Sequence, residues 1–371
     1  MRKLVRLGGI GLVGFVCLGR GWGGAEPSPS RVPGAAAFEA ARKYHEEFGG
    51  QALVVMRDGG ILFEAYANGG AADKRQMLAS GSKSFVGVAA VAAVEDGLIR
   101  LDDPACGALT EWKDDPKKSR ITYRQLLTLT SGLTAGERGA AVTGPAWKDI
   151  ISKPMVSGPG EKFEYGAYHL NAFAFALQRK LKEETFEAYL KRRILDPLGI
   201  EVEWRFRCAD GHPQVGGGAF MTARDWAFFG EFVRLGGIWK GEHVVAQEPL
   251  AECLRGTVQN PAYGLTWWLR EPVPVEILRS VPILQRDMGE IVSSDWLPED
   301  MYLAAGAGKQ RLYIIPSLKL VVVRMGDLRK GMRFRDAEFL DRLLCGRGHA
   351  ATRSEPRDGQ GAARAGRKQR G

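Results

Sequence analysis

The chain has 371 residues, 45% hydrophobic and 26% charged, which is enough apolar mass for a large core in one two-lobed unit. Its formal charge of +9 is uneven: Arg2, Lys3, Arg6 and Arg20 lie near the start, and seven basic residues face only Glu355 and Asp358 after Gly346. The core between them is close to neutral and carries no electrostatic footprint for nucleic acid. No Cys-x-x-Cys or His-Glu-x-x-His spacing occurs and the five histidines are scattered, so neither a metal nor a cofactor is expected.

Met1–Arg6 is a positive segment, Leu7–Leu18 an apolar one, and Gly23-Gly24-Ala25 offers small residues for cleavage. Residues 1–25 therefore read as a signal peptide, too short in its apolar part for a comfortable membrane span. Cys17 follows Val16 rather than a small residue, which argues against a lipoprotein. A periplasmic or secreted protein is expected, with one domain over 26–345 and a disordered basic tail over 346–371. Cys106, Cys208, Cys253 and Cys345 survive export, and an oxidising compartment would allow three pairings among them.

Within the domain, Ala35–Phe48 reads as an amphipathic helix closed by Gly49-Gly50. Ala52–Met56 and Ile61–Tyr66 read as strands joined at Arg57-Asp58-Gly59-Gly60. A long apolar helix then runs to Asp96-Gly97. Turn-forming residues fill Cys106–Gly160 around one helix, Tyr123–Leu129. Further helices are expected over Tyr168–Leu181, Phe186–Ile194 and Ala223–Arg234. The period returns to two at Arg311–Ile315 and Leu318–Met325, and Arg335–Leu344 closes the chain as a helix. Strands and a helix at both ends enclose a helical middle. That order predicts an α+β fold in which residues 35–75 and 300–345 complete one sheet and 76–299 form an inserted helical lobe.

The chemistry is concentrated in Leu78-Ala-Ser80-Gly-Ser-Lys83-Ser-Phe85. Residues i and i+3 share a helix face, so the Lys83 amine can reach the Ser80 hydroxyl. A serine needs such a base to become a nucleophile, and backbone N–H groups at a helix start favour a developing oxyanion. By itself a Ser-x-x-Lys pattern is a weak signal.

Four further phrases add weight in order: Asp96-Gly-Leu-Ile-Arg-Leu-Asp-Asp-Pro104, Ile121–Leu133 with its Thr130-Ser131-Gly132-Leu133, Pro159–Tyr165, and Gly216–Asp225 with its Thr222-Ala-Arg-Asp225. Together they resemble the serine β-lactamase-related superfamily, which includes class C β-lactamases, penicillin-binding carboxypeptidases, related esterases and 6-aminohexanoate-dimer hydrolases. The likeness spans about residues 52–344. It implies an antiparallel sheet flanked by helices with an inserted helical lobe, Ser80 as nucleophile, and Lys83 and Tyr165 as the proton-moving pair. It leaves open which of the two is the base.

The chain departs from that pattern twice. Tyr165-Gly166-Ala167 stands where Tyr-x-Asn is usual, with Asn171 the nearest substitute. Ala304-Ala305-Gly306-Ala307 stands where a Lys-Thr-Gly is usual, so the cation for a β-lactam or peptide carboxylate is missing. The resemblance still assigns the Ser80 and Ala307 N–H groups to an oxyanion hole, and places Gly306, Tyr263 and Trp267 near the substrate. The expected activity is cleavage of a small-molecule ester or amide through an acyl-enzyme. A D-amino-acid peptidase, a β-lactam-hydrolysing enzyme and a non-catalytic envelope binding protein on the same fold are the alternatives.

Overall fold

The computed structural model describes residues 33–136, 143–280 and 288–346; the leader, and the basic tail after Gly346, expected from the sequence lie outside these ranges. The first hairpin pairs β1 (Gly50–Arg57) with β2 (Gly60–Tyr66) through Asp58 and Gly59, both at positive φ. Two such residues make the turn whose twist matches that of the strands. The short strands β3 (Gln76–Met77), β4 (Glu203–Trp204) and β5 (Ala219–Met221) form a separate sheet in the order β3-β5-β4. A two-stranded sheet joins β6 (Ile238–Trp239) to β7 (Glu242–His243).

β8 (Trp268–Leu269), β9 (Tyr302–Gly306), β10 (Gln310–Ile315) and β11 (Leu320–Gly326) then join the hairpin. The result is an antiparallel six-stranded sheet, β2-β1-β11-β10-β9-β8, built from both ends of the chain. Its central strands are buried on both faces, so they read as continuous apolar runs rather than alternating ones.

Period-two geometry assigns the faces. Leu312 points to a helix whose Gly230 leaves room for it: a Cβ there would stand 2.6 Å from Leu312 and 2.8 Å from Val321. That helix is α8 in chain order, after α1 (Ala35–Glu47), α2 (Lys83–Glu95), α3 (Tyr123–Leu127), α4 (Trp147–Ser152), α5 (Tyr168–Leu181), α6 (Phe186–Leu190) and α7 (Asp196–Leu198); α8 spans Ala223–Arg234. Arg311 and Tyr313 point the other way, to the closing helix Asp336–Cys345, which packs with α1. α2 is buried along nearly its whole length, as its all-round apolar sequence requires.

Several boundaries differ from the sequence reading. The expected helix Tyr123–Leu129 stops at Leu127, because Leu129 turns into the left-handed region at φ 58°. The helix expected over Phe186–Ile194 runs on through a π turn, Lys191–Leu195, into α7 and ends at Gly199 with φ 68°. β9 is rich in Ala and lacks β-branched residues; pairing with β10 makes it a strand despite that composition. α8 and β8 come from the middle of the chain yet pack on or within the main sheet, so the 76–299 segment is not purely a helical lobe. Cys106, Cys208 and Cys253 are thiols rather than halves of a disulfide. Among the described residues no helix is long and apolar enough to cross a membrane, and no His/Cys/Asp/Glu group could hold a metal ion.

Candidate active site

Ser80 sits in a tight 3-10 turn, Ala79–Ser82, between β3 and the first residue of α2, Lys83. The entry is strained: Ala79 has φ 48°, a conformation an alanine adopts only when its surroundings over-determine it. Leu78 N–H donates to Ala219 O at 2.9 Å, and the Ser82 hydroxyl donates to Ala79 O at 2.6 Å while accepting from Ala219 N–H at 3.1 Å. Gly81 fits where a Cβ would meet the Trp226 ring at 2.8 Å. These contacts fix the serine at the entrance of the helix.

Lys83 is 3% exposed, and its Nζ lies 3.0 Å from Ser80 Oγ and 2.5 Å from the carbonyl oxygen of Gly216. Burial pulls the amine down to about 7, so near neutrality a large share of it is the free base. The Nζ also lies 5.2 Å from the centre of the Tyr165 ring. The three residues expected from sequence to carry the chemistry are therefore together.

The Gly216 carbonyl went unrecognised in the sequence. A Cβ on Gly216 would stand 2.5 Å from the Ala167 Cβ, so the absence of a side chain at Gly216 lets this backbone approach. A main-chain acceptor then holds the amine. The signal was the run Gly216-Gly217-Gly218, which marks close backbone approach. A second unrecognised pair lies beside it. Ser131 Oγ and His169 Nδ1 are 2.8 Å apart and fully buried; burial, with Lys83 nearby, holds His169 down to about 4 and neutral.

Three expected substrate residues are buried among other side chains. Asn171, one turn after Ala167, is fully buried and donates to Cys208 Sγ at 3.8 Å, so it substitutes for neither the missing amide nor its contact with Lys83. Trp267 is fully buried between Phe229 and Tyr302, with ring centres 6.2 and 5.7 Å away. Tyr263 is buried too and meets Tyr165 edge-on at 6.2 Å, with Phe163 and Trp268 completing the cluster. It braces the tyrosine from behind.

Gly306 does border the site. A Cβ there would stand 2.0 Å from Leu78 O and 3.1 Å from Gly81 N, so β9 runs directly against the serine turn. β8 pairs only with Tyr302 and Leu303, so it does not extend along Ala304–Gly306. Ala307 follows at the exposed tip of the β9–β10 connection. Lys309 is buried and its amine is bound to Asp336 at 2.6 Å, so it does not replace the missing cation.

A family model described as Beta-lactamase matches residues 35–344. Among solved structures, a protein assigned as a 6-aminohexanoate-dimer hydrolase from Bacillus anthracis superposes with a TM-score of 0.62 at 20% identity, over 77% of this chain and 75% of that one. A D-stereospecific amidohydrolase from Streptomyces sp. superposes with a TM-score of 0.58 at 15% identity, over 84% and 99%. The acyltransferase calJ of Penicillium decumbens is 27% identical over 189 residues, which is 41% of this chain but under half, 45%, of that protein.

Proposed function

The chain belongs to the Beta-lactamase family, and on that premise we propose that it hydrolyses an ester or amide through an acyl-enzyme on Ser80. The observation that carries the reading is the buried Lys83 amine, 3.0 Å from Ser80 Oγ and held near 7 by burial. As free base it takes the hydroxyl proton while Oγ attacks the substrate carbonyl carbon. The carbonyl oxygen becomes an oxyanion facing the Ser80 and Ala307 N–H groups. When the carbon–oxygen or carbon–nitrogen bond to the leaving group breaks, the Lys83 ammonium gives it that proton, directly or by way of the Tyr165 hydroxyl, and is the free base again. Water, deprotonated by the same amine, then cleaves the ester on Ser80.

Ala304 and Ala305 occupy the strand where relatives carry the carboxylate-binding cation, which supports an acyl group without a free carboxylate beside the scissile bond. That argues for a neutral ester or amide rather than a β-lactam or a peptide C-terminus. The signal-like first 25 residues support action outside the cytoplasm.

Intact-mass spectrometry with a fluorophosphonate tests the reading, wild type beside Ser80→Ala. A single adduct on the wild type and none on the variant is expected, together with hydrolysis of p-nitrophenyl esters and no stable adduct with benzylpenicillin. A folded wild type that takes no adduct would turn the assignment to a binding protein. Penicillin acylation would turn it to the peptidase or β-lactamase branch.

A further inference from the structure

The β9–β10 connection is gripped from behind. Arg311 is 1% exposed and its Nη1 donates to Gly306 O at 3.0 Å and to Gln310 O at 3.1 Å. Arg324, directly opposite Arg311 on β11 and fully buried, donates from Nη1 to Gly308 O and Lys309 O, each at 2.9 Å, and from Nη2 to Phe48 O at 2.9 Å. Asp336 of the closing helix accepts from Arg311 Nε at 2.7 Å, from Lys309 Nζ at 2.6 Å and from the Tyr313 hydroxyl at 2.6 Å. Burial alone would raise this carboxyl, but Arg311 and Lys309 hold it well below the usual carboxylate range, so it stays ionised.

Two guanidiniums side by side on neighbouring strands repel each other, and buried charges are costly to desolvate. A hairpin turn needs neither to form. What the arrangement does achieve is to fix the Gly306–Ala307 peptide. The chain contains no cis peptide among its described residues, so the Gly306 carbonyl and the Ala307 N–H point in opposite directions across one plane. Arg311 holds the carbonyl on the β10 side. The Ala307 N–H is thereby directed to the side of β9 away from β10, beside Gly306, against which Leu78 and Gly81 of the serine turn are packed.

We propose that Arg311, held by Asp336, is a positioning residue that locks and polarises the Gly306–Ala307 peptide so that the Ala307 N–H serves as an oxyanion donor. The proposal rests on the hydrolase reading above. It supplies what Lys-Thr-Gly would otherwise bring to this strand: a rigid donor, fixed here through the back of the sheet instead of its front. Arg311 touches no substrate, and its effect passes through one backbone plane.

The test compares p-nitrophenyl acetate with its thiono analogue, whose sulfur is a poor hydrogen-bond acceptor, on wild type, Arg311→Lys, Arg311→Gln and the core control Ile315→Val. Wild type is expected to prefer the oxoester by about 100-fold or more, a hundredfold being typical of one oxyanion donor. In Arg311→Gln, kcat for the oxoester falls with KM little changed, and the preference shrinks about tenfold or more; Arg311→Lys is intermediate. Ile315→Val lowers the melting temperature but keeps the preference. An oxo/thiono preference unchanged in a folded Arg311→Lys or Arg311→Gln protein overturns the positioning role, as does a wild type with little preference. A wild type inert toward both esters removes the hydrolase reading itself, and the positioning role with it.

Discussion

The proposed nucleophile and the proposed oxyanion donor are built in different ways. The Ser80 half is local: a strand end, a 3-10 turn and the first residue of α2 place hydroxyl and amine three residues apart. The Ala307 half is non-local. Its turn is fixed by Arg324 on the next-but-one strand, by Asp336 on the closing helix, and through Arg324 by Phe48 at the end of α1. A local arrangement depends on the short-range helical spacing that any reader of the sequence can apply. A non-local one depends on which buried charges the topology brings together, and no spacing reports that.

The strongest way to break the comparison is to remove the local half. Ser80→Ala or Lys83→Met should lower esterase kcat/KM by on the order of 10⁴-fold or more, read by steady-state kinetics. Lys83→Met should also raise the thermal midpoint at pH 7. The sign follows from the amine: its folded value of about 7 lies below the unfolded 10.5, so between those values the unfolded chain binds more protons and stability rises with pH. At pH 7 the buried lysine therefore opposes folding, and removing it relieves that cost. A fall in the midpoint would contradict a depressed amine.

A smaller effect should follow from moving the acceptor that steadies the amine. Gly216→Ala places a Cβ against Ala167, displaces the carbonyl from Lys83, and should cost on the order of tenfold in kcat. The smallest effect on chemistry belongs to Trp267→Phe. It should leave KM unchanged while costing about 1–3 kcal/mol of stability in denaturant titration, because the indole packs between Phe229 and Tyr302 rather than on a substrate.

The same contrast explains what was legible in the sequence. Ser80, Lys83 and Tyr165 were readable because a motif and four flanking phrases fix them, and the structure brings them together. The two-ended sheet was readable because period-two strands occur at both ends. The burial of Asn171, Tyr263 and Trp267 was not legible because an apolar or amide side chain near a motif carries no information on which way its element faces. Asn171 turns toward Cys208, and the two aromatics turn inward. Gly216 was visible as a glycine, but its carbonyl accepts from Lys83 across a contact 133 residues apart in the chain, which no local spacing reports. Arg311 looked like an ordinary charge at the head of a strand.

The central claim is that Ser80 is activated by a neutral, buried Lys83. The rate of fluorophosphonate labelling of Ser80, followed by intact mass from pH 5 to 10, tests it most directly. Protonation removes the base at low pH, so the rate should climb with pH through a midpoint near 7 and then level off. A midpoint near 10, or a rate independent of pH, would contradict the account.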